Sequence, residues 1–237
     1  APRGRGVVAP RSGRGADMSI ALDCPAGSGK STIGRLVAEA LGFALVDTGL
    51  VYRAVTVEAR RLGIASTDPR ALAVMVAGMK IAVNSAVSSG QPQVEVDGRD
   101  VSQEAVDPAI APELARISQL SEVRRLLVEP QRRTGRADAV VLGRDIGTVI
   151  FPEADVKFFF TAPPAERVAR RRRELDLARG SATPDSVLEQ EIDARDRADR
   201  EREIAPLRAA PDAIIVATEG KSVRQVFDEV MRRLPKH

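Results

Sequence analysis

The chain has 237 residues, 43% hydrophobic and 29% charged: enough apolar material for one sizeable core with a small insertion, and short of two full domains. With no Trp, one Tyr and 3% aromatics it cannot build a base-stacking platform, and one cysteine (Cys24) with one histidine (His237, the last residue) excludes a disulfide framework, a cysteine zinc cluster and histidine catalysis. The net charge of +3 belongs to the first 17 residues, with Arg3, Arg5, Arg11 and Arg14 against Asp17; removing these from the totals of 36 and 33 leaves 32 basic and 32 acidic residues from Met18 onward.

Residues 1–17 are rich in Gly, Pro and Arg, show no helical or alternating period, and read as a disordered basic tail ahead of a natural start at Met18. Val7-Val8-Ala9 is too short for the apolar core of a secretory signal, and no stretch approaches the roughly 20 apolar residues that span a bilayer. A thiol without a partner fits a reducing compartment, so a soluble cytoplasmic protein is expected.

From Met18 short apolar runs alternate with amphipathic segments, which predicts an α/β fold with a parallel sheet flanked by helices. SIALDC is a buried strand, followed by a Gly-rich turn and a helix through KSTIGRLVAEAL that Gly42 stops. FALVD is a second strand and Thr48 to Leu62 a helix. Between about 66 and 121 the alternation fails: ALAVMVAGMK reads as helix, but KIAVNSAV and PQVEVDG alternate around Ser88-Ser89-Gly90 like an antiparallel hairpin, which suggests an inserted subdomain. AVVLGRD and DVKFFFTA are further strands, the phenylalanines reading as core rather than as a stacking patch. Pro163-Pro164 opens a helix that Gly180-Ser181 breaks; the next helix has Thr183 as its cap and Pro184 at its first position and runs through RDRADRERE. DAIIVAT and SVRQVFDEVMRRL close the chain as strand and helix.

The segment DCPAGSGKST, residues 23–32, carries the chemistry. A strand ends, two glycines turn the chain, and Lys-Ser-Thr opens a helix, so that successive N–H groups and the helix N-terminus can hold a phosphate cluster. Gly27 and Gly29 permit positive φ, Lys30 can reach β- and γ-phosphates, and Ser31 can ligate Mg²⁺. Cys24 stands where the strict G-x-x-x-x-G-K-[ST] pattern has Gly, so it must hold φ below zero or bear strain. The motif fits a triphosphate donor and leaves the reaction open; there is no guanine-reading Asn-Lys-x-Asp, and a motor would need more chain. A compact kinase for a small acceptor remains.

Three further constellations agree with that. VDTGLVYR places Asp47, Thr48, Tyr52 and Arg53 where a strand gives way to a helix, the place ligands gather in open α/β sheets. LGRDIGTVIFP does the same for Arg144 and Asp145. In ARDRADRER, Arg195, Asp199 and Arg202 fall at i, i+4 and i+7, on one helix face; alone this could be a salt-bridge ladder. In ARRRRELDLAR the four arginines from Arg170 to Arg173 cannot all face one cleft.

Taken together these segments resemble the bacterial cytidylate kinases, P-loop nucleoside monophosphate kinases, over nearly all of the chain from Met18. The resemblance implies a five-stranded parallel core, one domain over 18–237 with an acceptor-nucleotide insert over about 66–121, and a helical lid over about 167–203. It implies transfer of the ATP γ-phosphoryl group to CMP or dCMP with Mg²⁺, in pyrimidine metabolism, by a monomer that binds neither nucleic acid nor membrane. Carried over residue by residue, Cys24, Pro25, Ala26, Gly27, Ser28, Gly29, Lys30, Ser31 and Thr32 would surround ATP, with Ser31 on the metal. Thr48, Arg53 and Arg144 would meet the acceptor nucleotide and its phosphate; Ser118, Arg124 and Asp145 would read the base; Arg195, Asp199 and Arg202 would touch sugar and phosphates. Lys30, Arg144, Arg195 and Arg202 would carry catalysis. The chain is about one helical turn shorter than the family pattern between Ser118 and Arg124, which makes Ser121 a substitute for Ser118. Another small P-loop kinase, for UMP/CMP or a metabolite, is the nearest alternative, and a nucleic-acid-binding P-loop protein using the tail is the alternative from a different class.

Overall fold

The computed structural model describes residues 18–84, 93–135, 138–179 and 183–235. The basic tail, the Ser88-Ser89-Gly90 turn and the Gly180-Ser181 break lie outside these residues.

Five strands, β1 (Ser19–Asp23), β2 (Ala44–Asp47), β6 (Ala139–Gly143), β7 (Val156–Thr161) and β8 (Ile214–Ala217), form a parallel sheet in the order β2-β6-β1-β7-β8. Both faces are covered, so the strands read as continuous apolar runs while their side chains still alternate. Ile20 and Leu22 of β1 join Val140, Leu142, Phe158 and Phe160 on one face, under α1 (Lys30–Leu41) and α9 (Val223–Arg233). Ala21 joins Ala139 and Val141 on the other, against Ile146 and Ile150. Phe158 and Phe160 are fully buried, so this aromatic run is core. Helix α1 lies close on the sheet because residue 34 is glycine: a Cβ there would stand 2.5 Å from a methyl of Leu142.

A second core forms around α2 (Gly49–Arg61), which is buried on most of its surface. Val51, Val55, Leu72, Val94, Ile117 and Leu127 pack there, from α2, α3 (Pro69–Gly78), α5 (Ala111–Ile117), α6 (Ser121–Thr134) and an antiparallel sheet of β3 (Ile81–Asn84), β4 (Gln93–Val96) and β5 (Arg99–Asp100). The hairpin pattern is present as β3 and β4; the two-residue β5 is too short to leave a period in the sequence. A short helix, α4 (Ser102–Val106), follows it. Helices α7 (Pro164–Arg179) and α8 (Asp185–Glu201) meet over a small cluster of Val168, Leu188 and Ile192. Among the described residues no helix is long and apolar enough to cross a membrane.

Several boundaries differ from expectation. Strand β6 stops at Gly143, and Asp145 is followed by a π-helical turn over Ile146–Ile150. Pro184, not Thr183, caps α8, with Asp185 at the first helical position. The same helix ends at Glu201; Arg202 is its cap, with an extended backbone (φ −62°, ψ 141°), so Arg195, Asp199 and Arg202 do not share one helical face.

Candidate active site

The loop from β1 to α1 holds Gly27 at φ 75° and Gly29 at φ 85°, in the left-handed region that a side chain would strain. Helix α1 begins at Lys30 with no side-chain cap and no acidic residue in its first turn. Its leading N–H groups and their partial positive charge are therefore open to an anion. Cys24 is buried in the sheet core and is absent from the positive-φ residues, so the loop takes a thiol without backbone strain. Burial pushes the Cys24 thiol pKa up, with Arg144 and Lys30 pulling the other way.

Opposite the loop, charges alternate. Arg124 on α6 pairs with Asp145 at 2.8 Å; Arg202 reaches Asp145 at 3.4 Å and Asp199 at 3.1 Å; Arg144 reaches Asp199 at 3.1 Å. Arg124, Asp145, Asp199 and the Arg202 side chain are each less than a tenth exposed, and a pair this dry holds only when both members are hydrogen-bonded. Arg202 meets that condition from its cap position by also donating to the Ala205 carbonyl at 2.6 Å. Arg124 stacks over the Tyr52 ring, 5.2 Å from its centre, and burial drives the Tyr52 phenol up to about 12. The Arg124 Nε is a buried donor without a partner among the described residues.

The Arg195 side chain makes no hydrogen bond or ion pair among the described residues. Burial lowers its pKa, and Arg144, Arg53 and Arg171 press it the same way against Asp199. Such a cation gains most from an arriving polyanion. Arg53 gives one N–H to the Ala105 carbonyl at 2.8 Å. Thr48 donates its hydroxyl to the Leu142 carbonyl at 2.9 Å, so only its lone pairs face a ligand.

One cleft of about 400 Å³ is lined by the residues that the resemblance assigns to nucleotide and phosphate contacts: Cys24 to Thr32, Thr48, Arg53, Ser118, Arg124, Arg144, Asp145, Arg195, Asp199 and Arg202. Ser118 lines it, although its hydroxyl donates to the Ala115 carbonyl and its own carbonyl accepts from Arg124 at 3.0 Å. Ser121 is not among the lining residues, and its hydroxyl donates to Glu203 at 3.2 Å. Of the arginine run, Arg171 lines the cleft beside Glu174, while Arg170 is spent on Thr218 and Glu166.

Sequence reasoning passed over Asp23, Arg167 and Asp196. Asp23 ends β1 and accepts from the N–H groups of Ile146 and Gly147, both at 2.8 Å, which fixes the π-turn and hence Asp145 to the phosphate-loop strand. A charge ending an apolar strand was the available signal. Asp196 and Asp199 continue the stripe of Leu188 and Ile192 at helical spacing, a sign that these carboxylates point inward.

The cytidylate kinase family model matches residues 20–236. A bifunctional pantoate ligase/cytidylate kinase of Synechococcus elongatus is 45% identical over 218 residues, 90% of this chain and 41% of that protein, so the chain spans less than half of that relative. Cytidylate kinases of Symbiobacterium thermophilum and Pelotomaculum thermopropionicum are each 40% identical over 217 residues, 91% of this chain and 95% of theirs.

Proposed function

The chain belongs to the cytidylate kinase family, and from that premise we propose that it transfers the γ-phosphoryl group of ATP to CMP or dCMP, releasing ADP and CDP or dCDP. The observation that carries the proposal is the Arg124–Asp145 pair lining the same cleft as an uncapped phosphate loop. Asp145 retains lone pairs for an exocyclic amino group, and the Arg124 guanidinium beside it on the cleft can serve a ring nitrogen or carbonyl. That donor–acceptor set matches the edge of cytosine, whereas uracil has no amino group to give.

The roles follow from charge. Donor phosphates meet the loop N–H groups and Lys30; the acceptor phosphate meets Arg53, Arg144 and Arg195. Phosphoryl transfer leaves a protein little covalent work, so alignment and neutralisation dominate. The donor set also suits Mg²⁺ that arrives chelated by phosphate: the exposed Ser31 hydroxyl at the start of α1 is one neutral oxygen, fitting a cation that keeps its waters. Bound there, the ion would neutralise phosphate charge. Helices α7 and α8 form the lid in this scheme, and its closure over the cleft excludes water as a competing acceptor.

ADP release measured with CMP, dCMP, UMP, AMP and shikimate tests the proposal. Turnover is expected with the cytidine nucleotides; turnover with another acceptor and none with CMP or dCMP rejects it. Asp145→Asn should raise the KM for CMP at least tenfold and leave the KM for ATP within twofold.

A further inference from the structure

Behind the cleft, two buried charges from different helices grip one residue of the phosphate loop. Arg167 of α7 and Asp196 of α8 stand 2.6 Å apart, their side chains only 4% and 3% exposed. Arg167 donates through Nη1 to the Ala26 carbonyl at 3.1 Å and through Nε to the Ala162 carbonyl at 3.2 Å. Asp196 accepts the Ala26 N–H at 3.2 Å. Both backbone polar groups of Ala26 are thus held, one by each member of the pair. The helix itself lies against the next residue: a Cβ on Gly27 would stand 3.2 Å from the Cβ and the carbonyl of Arg167. Ala26 lines the cleft and neither Arg167 nor Asp196 does, so the pair stands outside the cleft wall.

We infer that Arg167 and Asp196 are positioning residues that lock α8 in register with the phosphate loop. Asp196 lies one residue after Arg195 and three before Asp199, both on the cleft, so fixing it to Ala26 fixes how far those side chains stand from the donor phosphates. The pair's second effect is on the loop alone. With the Ala26 N–H committed to a carboxylate, the amides that follow it are the ones presented to phosphate, and the loop is shaped before nucleotide arrives. A salt bridge buried this deeply is weak ground for stability, because well-packed apolar side chains of similar volume often replace one without loss. That separates positioning from mere structure.

The test is the double variant Arg167→Met with Asp196→Leu. Each single change strands a buried charge and should lower the melting temperature; the double change should restore it to within a few degrees of wild type. Even so, kcat should stay at least tenfold low and the KM for ATP raised several-fold. Restored stability with wild-type kcat and ATP KM overturns the inference. Should the double variant fail to fold, Asp196→Asn, nearly isosteric, is read by amide hydrogen exchange. Faster exchange confined to the loop and α8 is expected; a wild-type pattern, or protection lost throughout the chain, overturns it. The kinetic arm rests on the kinase proposal above. Wild-type protein inactive on CMP and dCMP would sink that proposal, while the exchange arm still judges the pair.

Discussion

Asp23 is a single carboxylate with two duties, closing β1 and anchoring the turn that carries Asp145. Burial raises its pKa from 3.8 to about 6, against the pull of the Gly147 and Ile146 N–H groups and of Lys30, with Asp145 adding to the rise. The sign for stability follows from linkage: a folded pKa above the unfolded one means that this side chain's contribution is fully present below pH 3.8 and is lost as pH rises through about 6. The difference corresponds to roughly 3 kcal/mol. Wild type should therefore gain stability over Asp23→Asn as pH falls from 7 to 4 in paired denaturant titrations. A carboxyl ¹³C resonance of Asp23 with its midpoint near 6 is the direct check, and a midpoint below 4.5 refutes the assignment. Protonation also takes away one of two acceptors from the π-turn, so acceptor KM should climb on the acid side of that midpoint.

Helix α8 shows what an element can and cannot reveal in a sequence. Its existence was legible from Thr183-Pro184, a helix-opening pair, and so was the phosphate-loop helix, because a strand, two glycines and Lys-Ser leave a local imprint. Its ends were not, since Pro184 serves as cap and Arg202 leaves the helix to pair with Asp145, a partner 57 residues away. Buried acids in a charged helix look like a surface ladder until the apolar stripe they prolong is traced. The π-turn escaped for a related reason: it is held by Asp23, more than a hundred residues distant, rather than by any local pattern. Among the described residues, helices α7 and α8 meet over three well-buried apolar side chains. Leu188→Ala should therefore cost about 2–5 kcal/mol, felt locally. Hydrogen exchange should quicken in α7 and α8 and stay unchanged in β1 and β6; acceleration spread evenly over both sets would show that the helices do not open by themselves.

At the scale of the whole molecule, a formally neutral body beyond residue 17 encloses a cleft lined by Arg53, Arg124, Arg144, Arg171, Arg195 and Arg202. Field lines concentrate in such a cleft even when the net charge is near zero. For CMP, kcat/KM should fall several-fold between 20 and 300 mM KCl, and removing residues 1–17 should leave that slope unchanged; a slope that vanishes with the tail would place the attraction there. The parallel sheet that sets this cleft was readable because strands covered on both faces are short apolar runs; in the second core around α2 the β3–β4 hairpin was readable from its alternation, while the two-residue β5 was not. Cys24 lies where these parts converge, the chain's sole sulfhydryl, shut into the sheet core at the foot of the loop. A maleimide can reach it only when strand and loop part company, so the alkylation rate of the unaltered protein is a clock for that breathing. Saturating ATP should slow the clock, and no reporter has to be engineered to read it.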